Sequence, residues 1–194
     1  TSMVYSPNQP MPQTERGELV SDDIASPYAI SKKRMEDVLQ AYREEGLDII
    51  IARPFNHIGP GQRPGFLVPD LADQIINTQD GVLMVGNLNT KRDYTDVRDV
   101  VGAYRLLALA ESLHFDTYNV CSGVSRSGLE ILELLKQAFN KGSLRVEIDP
   151  ARIRQNDVLD IYGDSSRIRA ELGWAPQIPT TQTIQDFASW RLEQ

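Results

Sequence analysis

The sequence of 194 residues is poor in the residue types that form disulfides and bind metals. It contains one cysteine, Cys121, and two histidines, His57 and His114. A single cysteine excludes a disulfide framework and fits a reducing compartment. Because one thiol and two distant histidines do not form a cluster with metal-ligand spacing, we expect no metal site.

Long apolar runs and an excess of positive charge are also missing. No run approaches the roughly 18 apolar residues of a membrane-spanning helix, and no signal peptide is visible. The net charge is −7 at neutral pH and the isoelectric point is about 4.9, whereas nucleic-acid binding needs a basic surface. We therefore expect a cytoplasmic protein that binds neither membranes nor nucleic acids.

A third absence is the glycine-rich turn that usually holds the pyrophosphate of a dinucleotide. Residues 59–65 hold three glycines after an apolar strand, but two prolines interrupt them and no helix opens among them. We interpret this segment as a loop near the active site. The chain also begins at Thr1, with no initiator methionine and no preceding strand or helix, so we expect a portion of a longer polypeptide.

Among the residues that are present, Tyr28 and Lys32 carry the clearest chemistry. They lie four residues apart near a predicted helix start, with Ser26 as N-cap and Pro27 in the first turn. A nearby ammonium stabilises a phenolate, which suits such a pair to proton exchange with a ligand oxygen. A surface pair without function has the same spacing. Three apolar residues share this helix face and lead us to predict that the pair points inward: Met35, Leu39 and Tyr42.

The remaining sequence alternates between short apolar runs and amphipathic segments. Asp48–Arg53 is almost wholly apolar, as expected for a strand buried on both faces. This alternation predicts a parallel sheet flanked by helices. We predict further strands at 82–85, 118–121 and 144–148, and helices at about 26–45, 69–78, 96–112, 127–140, 165–172 and 183–192.

Several separate blocks resemble the extended short-chain dehydrogenase/reductases that act on nucleotide-diphosphate sugars. The chain start is similar to the family's catalytic Ser or Thr, placed four residues before a tyrosine. Tyr28 and Lys32 match its Y-x-x-x-K pair. The segment Arg53–Gln62 is similar to the subgroup of GDP-4-keto-6-deoxymannose reductases. The other matching blocks are 86–88, 91–100, 118–123, 163–166 and 172–174.

The resemblance implies roles for individual residues. The catalytic residues it implies are Thr1, Tyr28 and Lys32. The residues beside the cofactor, NADP or NAD, would be Tyr28 and Lys32 with Pro54, Phe55 and His57. Those that bind a GDP-sugar would be Asn56, Arg92, Arg154 and Asp157. The alternatives are a turn asparagine, a structural histidine and arginines in surface ion pairs.

The resemblance also implies an architecture and an oligomeric state. It implies an α/β fold with a doubly wound parallel (Rossmann-like) sheet, incomplete here, and a smaller α/β substrate-binding domain. The dinucleotide-binding part would comprise residues 1–57 and 92–121. The substrate-binding domain would comprise 58–91 and 122–194. The family resemblance further implies a homodimer.

The implied reaction is NAD(P)H-dependent reduction of the C4 keto group of a GDP-4-keto-6-deoxyhexose. One departure bears on this. The related dehydratases have an acid two residues before the tyrosine that corresponds to Tyr5, where this chain has Met3. A thioether cannot exchange a proton, so we do not expect dehydratase activity. The alternatives left open are an NAD-dependent nucleotide-sugar epimerase and a non-catalytic sugar-nucleotide-binding module.

Overall fold

A computed structural model describes residues 1–153 and 158–194 as an α/β structure. Within these ranges, no helix combines the length and the apolar character that crossing a membrane requires. The α-helices are α1 (Pro27–Glu44), α2 (Leu67–Asn77), α3 (Val97–Leu109), α4 (Gly128–Ala138), α5 (Ser166–Leu172) and α6 (Thr180–Leu192). The strands are β1 (Ile51–Pro54), β2 (Asn56–Ile58), β3 (Val82–Val85), β4 (Lys91–Asp96), β5 (Thr117–Val120), β6 (Ser125–Ser127), β7 (Arg145–Ile148) and β8 (Asp160–Ile161).

The strands of the described ranges form three small sheets. β1 and β5 pair in parallel, and β3 and β7 pair in parallel. The central sheet has the order β2-β4-β6, with β2 parallel and β6 antiparallel to β4. β8 adds to β4 in parallel. The predicted α/β class and the parallel pairing are therefore confirmed.

Two apolar clusters hold these layers together. In the first, α3 and α5 pack on the β1–β5 sheet through buried residues that include Val100, Leu107, Tyr118 and Ile168. In the second, α2, α4 and α6 surround β3 and one end of the central sheet, with Ile75, Leu83, Ile131, Leu135 and Phe187 in its centre. The proposed division into two domains stays a prediction, and α5 packs with the β1–β5 layer.

Most elements lie close to their predicted positions, and the missed ones are short and polar. β2, β4, β6 and β8 were not predicted as strands. β4 reads Lys-Arg-Asp-Tyr-Thr-Asp, without the apolar alternation that marks a half-buried strand. Its partners decide its conformation, since it pairs with β2, β6 and β8.

The predicted inward stripe of α1 is largely exposed in this chain, as we expect of residues 1–194 alone, and its direction in the complete polypeptide stays a prediction. Tyr28, Met35 and Tyr42 are 51%, 47% and 48% exposed. The helix instead contacts the protein through polar groups one position away: Lys33 donates to the Val20 carbonyl, Glu36 pairs with Arg53, and Arg43 with Asp116. Hydrophobic periodicity cannot detect a face that is held by hydrogen bonds and ion pairs. Residues 49–52 are half-buried in this chain, and the predicted burial of this strand on both faces stays a prediction for the complete polypeptide.

We expect residues 1–194 alone to aggregate rather than fold as a stable monomer. The reason is that β1 pairs with β5 on one side and has no second neighbour among the described strands, while apolar side chains of α1 stay exposed. Size-exclusion chromatography and a thermal scan would check this. A monodisperse 194-residue protein with a sharp transition that NADPH raises would contradict it.

Candidate active site

The start of α1 presents Tyr28 and Lys32 as predicted. The Ser26 hydroxyl accepts a hydrogen bond from the Ala29 amide at 3.2 Å, and Pro27 occupies the first turn. Lys32 Nζ lies 5.5 Å from the centroid of the Tyr28 ring. Half of the Tyr28 side chain is exposed. The phenol is therefore accessible to a ligand and has a cation beside its ring.

Thr1 lies beside the same helix. It precedes a short 3-10 helix, Ser2–Val4, which contacts α1, and its Oγ1 accepts a hydrogen bond from the Met3 amide at 3.3 Å. The short helix therefore places Thr1 next to α1, the helix that carries Tyr28 and Lys32.

The segment after β1 divides into buried and exposed residues. The Phe55 side chain packs with Tyr5 and Cys121 in the core. The Phe55 amide donates to the Val120 carbonyl at 3.0 Å, and its carbonyl lies 3.2 Å from Nδ1 of His57. Pro54 is half-buried, whereas Asn56 and His57 are exposed. Of the ligand contacts predicted here, Asn56 and His57 have side chains open to solvent.

The predicted phosphate-binding residues are described only in part. Arg92 is half-buried in β4, and its Nη1 donates to the carbonyls of Lys91 at 2.7 Å and Val158 at 2.8 Å. Arg154 and Asp157 lie outside the described residues. Arg92 therefore contacts the chain at Val158, directly after that segment.

A buried polar network beneath the site was not predicted as functional. Nε and Nη2 of Arg53 donate to the two Glu36 oxygens at 3.0 and 2.5 Å, and the guanidinium lies 4.8 Å from the Tyr5 ring centroid. The Tyr5 hydroxyl donates to Oδ1 of Asn119 at 2.6 Å. The sequence contains one sign of this network: Arg53 and Asn119 are polar residues within otherwise apolar strands. A buried charge or amide needs a hydrogen-bonding partner, so such residues indicate buried polar contacts.

Asn119 joins this network to two further segments, at residues 13–15 and at Asp164. Its Nδ2 donates to the carbonyls of Gln13 at 3.0 Å and Asp164 at 3.2 Å, and its amide donates to Oε1 of Glu15 at 2.8 Å. Asn119 is fully buried. Burial raises the pKa of Tyr5 to about 12, so Tyr5 is a neutral donor near neutral pH. The network fixes the segment that follows Thr1.

The arrangement of Tyr28, Lys32 and Thr1 suits proton transfer. In the described ranges, no group of three or more His, Cys, Asp or Glu residues could hold a metal ion. Tyr28 can donate a proton, Lys32 can stabilise the resulting phenolate, and the Thr1 hydroxyl lies in the same region. Such a set can move a proton to or from a ligand oxygen.

Comparisons with known proteins point to one family. A family model described as GDP-mannose 4,6 dehydratase matches residues 1–187. GDP-6-deoxy-D-mannose reductase of Pseudomonas aeruginosa is 38% identical over 170 residues, covering 84% of this chain and 55% of the relative. GDP-6-deoxy-D-talose 4-dehydrogenase of Aggregatibacter actinomycetemcomitans is 30% identical, covering 75% of this chain and 48% of the relative.

A solved structure also matches. The RMD protein of Pseudomonas aeruginosa, complexed with NADPH, superimposes with a TM-score of 0.88 at 32% identity, covering 100% of this chain and 65% of that chain. The chain thus spans about half the length of the curated relatives it matches. These matches show that the chain belongs to the extended short-chain dehydrogenase/reductases, in the family whose model describes GDP-mannose 4,6-dehydratase.

Proposed function

We propose that this chain is the C-terminal portion of an NAD(P)H-dependent reductase that acts on the C4 keto group of a GDP-4-keto-6-deoxyhexose. The product would be GDP-D-rhamnose or its C4 epimer. The observation that carries the proposal is the 38% identity to GDP-6-deoxy-D-mannose reductase, combined with the Tyr28–Lys32 pair at the start of α1.

The reaction needs one hydride and one proton. When it is bound, the nicotinamide cofactor supplies the hydride to C4. Tyr28 gives its phenolic proton to the C4 oxygen, and Lys32 stabilises the phenolate that remains. The Thr1 hydroxyl donates a hydrogen bond to the same oxygen and favours the negative charge that develops there. Proton exchange with solvent then restores the phenol. This exchange is possible because about half of the Tyr28 side chain is exposed.

The chain fits one end of the cofactor. Tyr28, Lys32 and His57 are accessible groups that could contact the nicotinamide and its ribose. Within the described ranges, residues 59–65 are the segment most similar to a glycine-rich phosphate-binding turn. This segment does not lead directly into a helix, because α2 begins only at Leu67, and Gly59 packs on Val97. We therefore assign the pyrophosphate contacts to a preceding part of the complete polypeptide.

Met3 argues against the dehydratase reaction named by the family model. Its side chain is 49% exposed in the 3-10 helix that follows Thr1. An acidic side chain at the position of Met3 would exchange the proton that the elimination step of a dehydratase needs. The methionine thioether cannot exchange a proton. The similarity to GDP-6-deoxy-D-talose 4-dehydrogenase supports a second candidate, a reductase of the opposite C4 stereochemistry.

An assay of the complete polypeptide would test the proposal. We expect oxidation of NADPH with GDP-4-keto-6-deoxymannose, and no conversion of GDP-mannose itself. The proton NMR spectrum of the product separates the rhamnose from the talose configuration. Tightly retained NAD with interconversion of C4 epimers would favour an epimerase. A native protein whose intact mass equals 21.8 kDa would favour the binding module.

Replacing Arg154 tests the assigned diphosphate contact. We expect Arg154→Ala to weaken GDP binding by about 1.5–3 kcal/mol, the scale of a hydrogen bond to a charged group. Isothermal titration calorimetry with GDP measures this, and NADPH affinity should stay unchanged. Arg34→Ala removes an exposed arginine of α1 and is the matched control. Unchanged GDP affinity in Arg154→Ala would assign Arg154 a structural role.

A further inference from the structure

Arg53 of β1 and Glu36 of α1 form an ion pair in which both side chains are buried. The Arg53 and Glu36 side chains are 8% and 10% exposed, and two parallel hydrogen bonds join them. The Tyr5 ring covers the guanidinium. Burying a charge pair is costly unless its geometry is good, and replacing such a pair by apolar residues is often neutral for stability. Stability alone therefore does not account for these two residues.

The position of Glu36 on α1 makes its charge relevant to the site. Glu36 follows Lys32 by four residues, and Lys32 follows Tyr28 by four, so Lys32 is a helix neighbour of both. Lysine and glutamate at this spacing are neighbours that can pair. Here both Glu36 oxygens are bound by Arg53, and Lys32 Nζ lies near the Tyr28 ring instead.

Charged or titratable groups of three more segments lie around this part of α1. Arg53 of β1 binds Glu36. Tyr5 interacts with Arg53 and is neutral near neutral pH. From α3, Tyr104 interacts electrostatically with Tyr28, and burial raises the pKa of Tyr104. The charge of Glu15 also acts on Tyr5, but its carboxylate is bound by the Asn119 amide and pairs with Arg167. Glu36 is the carboxylate that lies four residues from Lys32 on the same helix and could compete with Tyr28 for it.

We propose that Arg53 is a positioning residue: by binding Glu36 in a buried bidentate pair, it prevents Glu36 from pairing with Lys32 and leaves the Lys32 charge directed at Tyr28. The inference rests on the proposed function, because it explains how the proton donor of that reaction is kept active. It also explains why a guanidinium lies at the end of an otherwise apolar strand.

The pH profile of the complete enzyme tests this role. If Tyr28 is the proton donor, kcat should fall at alkaline pH, where the phenolic proton is lost. The proposal predicts that the position of this alkaline limb depends on the charge of Lys32. In Arg53→Met, Glu36 is free to neutralise Lys32, and we expect the limb to move to higher pH by about one unit. The double variant Arg53→Met/Glu36→Gln lacks the Glu36 carboxylate that would compete for Lys32. We therefore expect its alkaline limb to return to the wild-type pH.

Two further variants separate this role from a structural one. Glu36→Gln alone removes the carboxylate and leaves the Arg53 cation without its partner, so the limb should stay at or below its wild-type pH and should not move upward. Arg43→Met breaks the second ion pair between α1 and the sheet, the one to Asp116, and should not move the limb. If Arg53→Met does not fold, Arg53→Lys keeps a cation without the bidentate contact and should move the limb in the same direction by less.

A spectroscopic titration tests the role of Arg53 without substrate. The tyrosinate absorbance of each variant, minus that of its Tyr28→Phe counterpart, reports the ionisation midpoint of Tyr28. A higher midpoint in Arg53→Met that returns in the double variant supports the inference. An unchanged midpoint, or one that the double variant does not restore, overturns it. A wild-type enzyme that lacks reductase activity overturns the proposed function instead, and the titration still decides the role of Arg53.

Discussion

Tyr28→Phe in the complete enzyme is expected to lower kcat by about 10²–10⁴-fold, the usual contribution of general acid–base catalysis. The change removes the hydroxyl and keeps the ring, and 51% of this side chain is exposed, so little packing is lost. The phenol acts on the transition state, and the KM for the sugar nucleotide should therefore change little. Steady-state kinetics with NADPH at saturation measures both parameters.

Tyr42→Phe is the matched control for this experiment. Tyr42 lies on the same helix and is 48% exposed, so the two substitutions remove equivalent hydroxyls from similar surroundings. We expect Tyr42→Phe to retain wild-type kcat. A loss of less than fivefold in Tyr28→Phe would remove Tyr28 as the proton donor.

The largest expected loss of stability follows from replacing Asp93. This carboxylate is 1% exposed and joins three segments. Its Oδ1 accepts hydrogen bonds from the Ser122 amide at 2.9 Å and hydroxyl at 2.5 Å, and its Oδ2 accepts from the amides of Gly123 at 2.8 Å and Gly163 at 3.3 Å. Burial raises the pKa of Asp93, and these donors act against that increase.

Asp93→Ala leaves those donors without their acceptor. The Gly163 amide is buried, and the hydrogen bonds from Ser122 and Gly123 are partly buried. Since a buried donor left unsatisfied costs about 1–3 kcal/mol, we expect the free energy of unfolding to fall by about 3–5 kcal/mol in total. Urea denaturation of the complete polypeptide measures this as a lower midpoint at constant slope. Asp37→Ala, at an exposed position of α1, is the control and should change the free energy by less than about 0.5 kcal/mol. A loss below about 1 kcal/mol in Asp93→Ala would show that water replaces the carboxylate.

Local sequence signals predicted the elements that depend on local chemistry. Ser26 and Pro27 marked the start of α1, and the capping box of Ser127 and Glu130 marked the start of α4. Residues 82–85 were predicted as a strand and form β3 with those bounds. Capping hydrogen bonds and apolar runs act within a few residues, so the sequence displays them directly.

Contacts between distant segments were not predictable in the same way. β4 is a strand because β2, β6 and β8 pair with it, although its own residues are mostly polar. The polar contacts of α1 were not predicted, because Glu36 and Arg43 bind groups 17 and 73 residues away along the chain. An ion pair of this kind leaves no periodic pattern in the sequence.

The sequence by itself determined the α/β class, the family resemblance and the adjacency of Tyr28 and Lys32, since four residues of helix fix that adjacency. Only the tertiary structure decided that Arg53 binds Glu36, that Tyr5 donates to Asn119, and that Phe55 points into the core while Asn56 stays exposed. The physical reason is that buried polar groups need partners wherever the fold brings them, and the fold brings these partners from segments far apart in sequence.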